Sequence, residues 1–383
     1  MFLALRDLRF ATGRFALMGS VVALISLLLV MLSGLTAGLG GQNTAAIDRL
    51  GEQGVQRLVF GGAAGQEPTA SFTQSEFTVA QRDAWAATDG VASVEPLGVS
   101  QGRAIGLEHP VDTDPQGRAD VSGEPTTGVA TTAFIGLTPG GSDAPAGVEP
   151  GQIVLSQDVA DSLHAQAGDA AAVSGFVYTV ADVVPTEYYS HSPVTWLALE
   201  DWNAISHTAD DAVLGTAGLV RFDAGADVDA VAAAGDDAAG TVAETVKGSY
   251  AALPSYRSEN GSLMTMQGFL YGISALVVIA FLSIWTVQRT RDIAVLKALG
   301  GSNGWMLKDS LAQAAFVLVG GVAVGTGLAA VVGAFAGRAV PFELSWATTA
   351  VPAAGVLVLG MLAAVIAVYR VTRIDPLVAL GGN

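Results

Sequence analysis

FALMGSVVALISLLLVMLSGLTAGLGGQNT, residues 15–44, runs without a single charged side chain. A bilayer core needs roughly 20 apolar residues of helix to cross it, so this run is long enough to span one. Three more uncharged runs follow, Gly261 to Gln288, Ser310 to Gly337 and Leu344 to Tyr369. The 383-residue chain is 51% hydrophobic and 14% charged, with a mean hydropathy of +0.49, too apolar for an ordinary soluble protein of this length. The sequence therefore predicts a membrane α-helical fold of four transmembrane helices, with an extracellular α+β domain inserted between spans 1 and 2. The first run has Arg6, Arg9 and Arg14 before it, as a secretory signal would. Its apolar part exceeds the about 7–15 residues of a signal core, so an uncleaved helix is expected.

Charge sets the orientation. Between Gln42 and Asn260 there are 8 Lys and Arg against 30 Asp and Glu, which leaves 10 basic and 5 acidic residues for the rest of the chain. With four spans, Arg6, Arg9, Arg14, Arg289, Arg291, Lys297, Lys308, Arg370 and Arg373 fall on one face and only Arg338 on the other. Lys and Arg mark the cytoplasmic side. Both termini are thus expected in the cytoplasm of a cell (plasma) membrane, with the acidic segment outside. That acidity excludes nucleic acid as a partner. The absence of cysteine excludes disulfides, thiolate metal sites and a cysteine nucleophile.

The expected order is a cytoplasmic interfacial helix at 1–13, then the first transmembrane helix and a stalk at 14–50. Next come the extracellular domain at 51–255 and a stalk with the second span at 256–288. A cytoplasmic coupling segment at 289–309, the third span at 310–337, an extracellular loop at 338–343, the fourth span at 344–369 and a cytoplasmic tail at 370–383 complete it. In 1–13, Phe2, Leu5 and Leu8 recur at helical spacing against Arg6 and Arg9, the pattern of a membrane-surface anchor or a partner contact. QNTAAIDRLGEQ beyond Gly41 has no proline and places Ala46, Ile47 and Leu50 on one face, so the first helix is expected to continue outward. Within the domain, GQIVLSQDVADSLHAQAGDAAAV reads as a strand, a helix from about Gln157 to Gln166, a turn at Gly168-Asp169 and a second strand. FVYTVADVV alternates as a further strand, and residues 223–247 read as a surface helix. In the third span, Gly321-xxx-Gly325 and Gly333-xxx-Gly337 are small-residue pairs that let helices approach closely.

Several stretches then fall into a known pattern. VQRTRDIAVLKALGGSNGWMLK resembles the segment after the second span of FtsX-like and MacB-like permeases, the four-span subunits of ABC systems that act by mechanotransmission. IVLSQDVADSL with GDAAAV and YTVADVV is similar to their external domain, and VTRIDPLVALGGN to their tail. Residues 1–50, with Ser/Thr-Gly-Leu-x-x-Gly-Leu closing the first span, and LPSYRSENGSLMTMQGFLYGISALVVI resemble the HrtB-type heme efflux permeases. The acidic external segment is longer than expected for that group.

The resemblance implies that the loop after span two forms a helix docking on a cytoplasmic ATPase, with Arg291, Asp292, Leu296, Lys297 and Gly300 as coupling residues. A basic helix ended by Gly-Gly suits such a groove; a plain positive-inside loop is the alternative. It also implies heme as transported substrate. A heme site must accept a flat apolar ring, an iron axis and two carboxylates. The second span offers Met264, Met266, Phe269 and Tyr271 near its outer end, and a dimer would present them twice. Glu259, Tyr271 and Glu343 are the oxygen candidates for ferric iron. The same cluster also reads as interfacial belt and packing.

No Gly-x-x-x-x-Gly-Lys-(Ser/Thr) occurs in the sequence, so ATP and Mg are expected on a separate chain. His109, His164, His191 and His207 show no metal-ligand spacing; EYYSHS, with Tyr188, Tyr189 and His191, reads as an iron site or a loop. No intrinsic cofactor and no catalytic residue are expected. The expected assembly is two copies of this chain, two ATPase copies, membrane lipid and heme. The alternatives are MacB-like or Lol-like export of peptide, lipid or lipoprotein, and FtsX-like signalling to an extracellular hydrolase.

Overall fold

The computed structural model describes residues 12–63, 66–206, 212–288 and 303–372. Its contacts divide into two units, Met1–Leu39 with Asn260–Asn383, and Gly40–Glu259. Four helices among the described residues are long and apolar enough to cross a membrane, the build of a multi-pass membrane protein. They are Thr12–Glu52, Pro254–Gln288, Asn303–Ala336 and Trp346–Thr372. In lipid every backbone N–H and C=O must find a partner within the chain, which a helix provides and an irregular segment does not.

Without a hydrophobic drive between helices in lipid, close backbone approach decides their packing. A Cβ on Gly325 of the third span would fall on the carbonyl oxygen of Ala23 in the first, and one on Gly321 would lie 2.8 Å from the Gly19 oxygen. The expected pair Gly321-xxx-Gly325 is therefore the seam between spans one and three. Met18, Val22, Ile25 and Leu29 meet Val317, Leu318 and Val322 in the same apolar core. Gly355 and Gly360 of the fourth span receive Tyr271 and Leu318 in the same way.

The inserted unit is α+β, and its chain order gives its architecture. Strand β1 (Arg57–Phe60) and a two-residue β2 (Phe77–Thr78) precede α1 (Val79–Ala86) and the 17-residue β3 (Val91–Leu107). Then come β4 (Thr126–Leu137), β5 (Gln152–Ser156), α2 (Gln157–Leu163), β6 (Ala170–Val173) and β7 (Phe176–Val184). β8 (Tyr188–Tyr189), β9 (Ser192–Ala198), α3 (Leu199–Ser206), β10 (Val213–Gly215), β11 (Ala217–Phe222), α4 (Val228–Ala239) and β12 (Val242–Thr245) complete it.

The order β12-β1-β11-β3, antiparallel throughout, with α1 and α4 as the crossovers, is a split β-α-β arrangement of the ferredoxin-like kind. Strand β3 then leaves that sheet and begins another. From Gly98 to Leu107 it pairs with β4, and from Ala104 to Leu107 it also pairs with β6. The path β3-β4-β9-β5-β7-β6 thereby returns to β3, closing a six-stranded barrel with parallel pairs β4–β9 and β5–β7. Closure removes the open edges that would otherwise template aggregation.

Alternation assigns side chains to two cores. Phe134, Ile153, Leu155 and Leu197 pack with Val159, Leu163 and Trp202 of α2 and α3. Their neighbours Ile135, Val154 and Trp196 pack instead with Ala46, Ile47 and Leu50 of the first helix. The helix thus continues past Gly41 as the apolar spacing predicts, and it does so because the barrel buries that face.

Two local expectations need correction. The helix expected from Gln157 to Gln166 ends at Leu163, because His164 takes a left-handed backbone (φ 52°) and caps it. The surface helix expected over 223–247 is confined to Val228–Ala239. Gly240 (φ 62°) ends it, and the following Val-Ala-Glu-Thr pairs with β1 as β12. Only a strand there lets residues 242–245 complete the four-stranded sheet.

Candidate functional site

The polar and aromatic residues of the four-span unit gather where the first span reaches Leu39. Gln267 Nε2 of the second span donates to Thr36 Oγ1 of the first at 3.2 Å. The link between spans three and four turns back into the bundle. A Cβ on Gly34 or on Gly333 would strike the Phe342 ring, at 2.6 Å from Cε2 and 2.5 Å from Cε1 respectively, and one on Gly38 would strike the Pro341 carbonyl group. The Glu343 N–H donates to the Gly34 carbonyl at 3.0 Å. Phe342 therefore plugs a slot walled by glycines of two spans. Gly333 serves the ring rather than another helix, and Gly337 is not closely approached.

The candidate cargo residues distribute unevenly around this end. Met264, Met266 and Phe269 are 55–67% exposed, and Ile273 and Leu276 continue an apolar stripe from Met266 along the second span. Only 11% of that span's apolar window is buried within the chain, against 33–44% for the others, so this face awaits lipid or a partner. Tyr271 points the other way, its hydroxyl against Gly355. Glu343 is exposed, and Arg338 stands over the Phe335 ring at 5.6 Å.

Glu259 belongs to the inserted unit, and its carboxylate is already engaged. His191 Nε2 lies 2.9 and 2.8 Å from its two oxygens and 3.0 Å from Asn43 Nδ2. Asn43 Nδ2 donates to Oε2 at 3.2 Å. Ser255 Oγ donates to Asn43 Oδ1 at 2.7 Å and meets Ser190 Oγ at 2.8 Å. The hairpin tip is pinned as well, since the N–H groups of Ser190 and His191 donate to the Asn43 and Gln42 carbonyls. These bonds hold both residues at positive φ, 48° and 63°, a conformation costing roughly 1–2 kcal/mol for each L residue. The EYYSHS stretch is therefore a clasp joining residues 42–43, 190–191 and 255–259.

The His191–Glu259 contact is more than a third exposed on the Glu259 side, so solvent weakens it. His191→Ala and Glu259→Gln are expected to cost about 1 kcal/mol each, with a coupling of about 0.5–1 kcal/mol in a double-mutant cycle followed by denaturant unfolding. Strict additivity would mean that the two groups do not interact. For Glu259 to ligate iron it would have to give up these bonds.

A cavity of about 530 Å³ lies within the inserted unit, lined by Gly41, Ala45, Asp48, Arg49, Glu52, Gln53 and Glu187. Arg49 bridges to Glu187 at 3.4 Å and stands 5.6 Å over the Trp196 ring. Burial holds the Glu187 carboxyl above the usual range, with Arg49 opposing. Tyr250 hydroxyl donates to Asp48, so the cavity wall doubles as a brace for the helix. Among the described residues no group of three or more His, Cys, Asp or Glu could hold a metal ion.

Asn43 escaped the sequence reading, and His191 was read only as part of an iron site or a loop, because their partners lie far apart in the chain. Gly34-xxx-Gly38 repeats the small-residue spacing, a signal the sequence reading passed over; the ring that fills it left none. The coupling residues Arg291, Asp292, Leu296, Lys297 and Gly300 lie outside the described residues, as does the interfacial segment up to residue 11.

Comparison with known proteins bears on the same regions. Residues 264–376 match the FtsX-like permease C-terminal family, in agreement with the resemblance carried by VQRTRDIAVLKALGGSNGWMLK. A Staphylococcus haemolyticus protein described as a hemin transport system permease, HrtB, is 29% identical over 130 residues, 34% of this chain and 37% of its own length. The match therefore spans little more than a third of that relative. The extracellular domain of the noncanonic ABC-type transporter YknZ from Gram-positive bacteria aligns with 49% of this chain and 95% of its own, at 14% identity and a TM-score of 0.31. The periplasmic region of MacB from Actinobacillus actinomycetemcomitans aligns with 50% and 89%, at 9% identity and a TM-score of 0.34.

Proposed function

We propose, from the FtsX-like permease C-terminal match over residues 264–376, that this chain is the permease subunit of an ABC exporter whose cargo is heme. The observation that carries the cargo is the similarity to the HrtB hemin permease. The exposed Met266, Phe269, Ile273 and Leu276 face of the second span supports it, since a flat apolar ring leaving the bilayer needs such a surface. A second copy of the chain docks on that face and doubles it.

ATP is bound and hydrolysed by a separate cytoplasmic ATPase, two copies to the assembly, a partner that the permease match suggests. The segment 289–309, basic and broken by Gly300-Gly301, is the surface the ATPase engages. Both termini lie in the cytoplasm and the acidic inserted domain lies outside, on the charge asymmetry of the loops. For the iron, Glu343 is the accessible oxygen ligand. Tyr271 would first have to leave Gly355, and Glu259 its clasp.

The test is a hemin titration of the permease with its ATPase in nanodiscs, following the Soret band and the ATPase rate together. A saturable spectral shift accompanied by a changed rate is expected. A spectrum equal to that of empty discs with an unmoved rate would reject heme as cargo and turn the search to peptide, lipid or lipoprotein substrates.

A further inference from the structure

A porphyrin cargo carries two carboxylates, while the candidate ligands Glu343, Tyr271 and Glu259 are acids and a phenol. An anion leaving bulk water needs a cation beside it. In the membrane-crossing stretches Phe15–Leu39, Asn260–Gln288 and Ser310–Tyr369 there is a single Lys or Arg, Arg338, and the single acid is Glu343. Both stand on the short link between spans three and four.

Arg338 follows the last turn of the third-span helix, its N–H donating to the Phe335 carbonyl at 3.2 Å. The guanidinium sits over the Phe335 ring, which fixes its direction without consuming its hydrogen bonds. Among the described residues no carboxylate lies within salt-bridge distance of it. The apolar surface of the same link is open: Phe335 is 63% exposed and Trp346 79%, with Val340 and Leu344 also exposed. The cation is therefore aimed from an aromatic shelf, with no anion among the described residues paired to it.

We propose that Arg338, standing over the exposed Phe335 ring, is the residue that receives a carboxylate of the porphyrin cargo. The assignment rests on the heme reading above and adds to it the group that distinguishes a porphyrin diacid from any other flat apolar molecule. A guanidinium binds a carboxylate through two parallel N–H···O bonds, so lysine replaces it only in part. Glu343 on the same link repels a second anion and leaves one carboxylate directed to Arg338.

Protoporphyrin IX and its dimethyl ester separate the carboxylates from the ring and from the iron. In nanodiscs of zwitterionic lipid, with empty discs subtracted, the wild-type chain is expected to bind the diacid about tenfold more tightly than the ester. Arg338→Gln should bring the two within about twofold, and Arg338→Lys should restore part of the preference. If Arg338→Gln keeps the preference, the assignment is wrong while the heme reading stands. If it weakens diacid and ester alike, Arg338 serves a lipid phosphate or the fold, and the proposal falls. Loss of the preference in Arg257→Gln instead would move the role out of the four-span unit and overturn it. Failure of both porphyrins and of hemin to bind the wild-type chain above empty discs would remove the heme reading itself.

Discussion

Gly325→Leu is expected to leave little folded protein in the membrane. Its Cβ would lie 2.8 Å from the Ala23 carbonyl carbon and nearer still to the oxygen. Both belong to the backbone of another helix, so no rotamer change relieves the clash. The spans must separate, and the seam of Val22, Val317, Leu318 and Val322 opens with them. Overpacking usually costs about 1–3 kcal/mol; with backbone as the obstacle the upper end or more is expected. Gly320 and Gly327 lie on the same helix with open space around them, which makes Gly327→Leu the matched control. Thermal unfolding and gel filtration in detergent should show Gly325→Leu aggregated or far less stable and Gly327→Leu close to wild type. Equal behaviour of the two would mean that spans one and three do not cross there.

Trp85→Ala should be the most damaging single truncation in the inserted unit. The indole is fully buried between α1 and α4, and a Cβ on Gly235 would lie 2.5 Å from its ring, so α4 carries a notch shaped to it. Its Nε1–H donates to Thr241 Oγ1 at 2.9 Å, and that hydroxyl donates to Asp236 Oδ1 at 2.7 Å. Asp236 Oδ2 accepts from the Ala243 N–H at 2.9 Å, so the chain of bonds ends on strand β12. Removing the ring costs about 3–5 kcal/mol. Trp85→Phe keeps part of the volume and forfeits the hydrogen bond, about 1–2 kcal/mol for the bond, with a smaller cavity than alanine leaves. Hydrogen exchange should accelerate in α4 and β12 in the order Ala, Phe, wild type; unchanged protection in Trp85→Ala would deny the indole this role.

The four spans were legible because their evidence is local. Thirty uncharged residues from Phe15 to Thr44 have one solution in lipid. The continuation to Glu52 was legible too, through the spacing of Ala46, Ile47 and Leu50. The barrel was not. Nothing near Ala104 announces that Ala170–Val173 will pair with it, since β6 is four small or branched residues with no partner signal of their own. The clasp was hidden for the same reason, Asn43, His191 and Glu259 being separated by whole domains of sequence. Phe342 read as part of a short loop because hydropathy does not show that a ring turns inward. Its glycine slot needs both Gly34 and Gly333, whose nearness is a property of the packed bundle. Residues 242–245 were misread because Ala and Val serve a weak surface helix and a short strand equally well, and only the neighbouring β1 decides.

Strand β3 belongs to two sheets at once. Its first seven residues are hydrogen-bonded to β11 and the rest to β4 and β6, with no turn or glycine-rich linker where one sheet yields to the other. Side chains alternate with a period of two, so a slip of one residue anywhere along it would invert both cores together. The two halves consequently have no separate melting and no hinge of their own. Sequence length can grow at the connections, in the link from Leu107 to Thr126 above all, but not within Val91–Leu107. For protein engineering this makes the strand a place where an insertion cannot be absorbed locally, and the 107–126 link the natural port for a tag or a reporter.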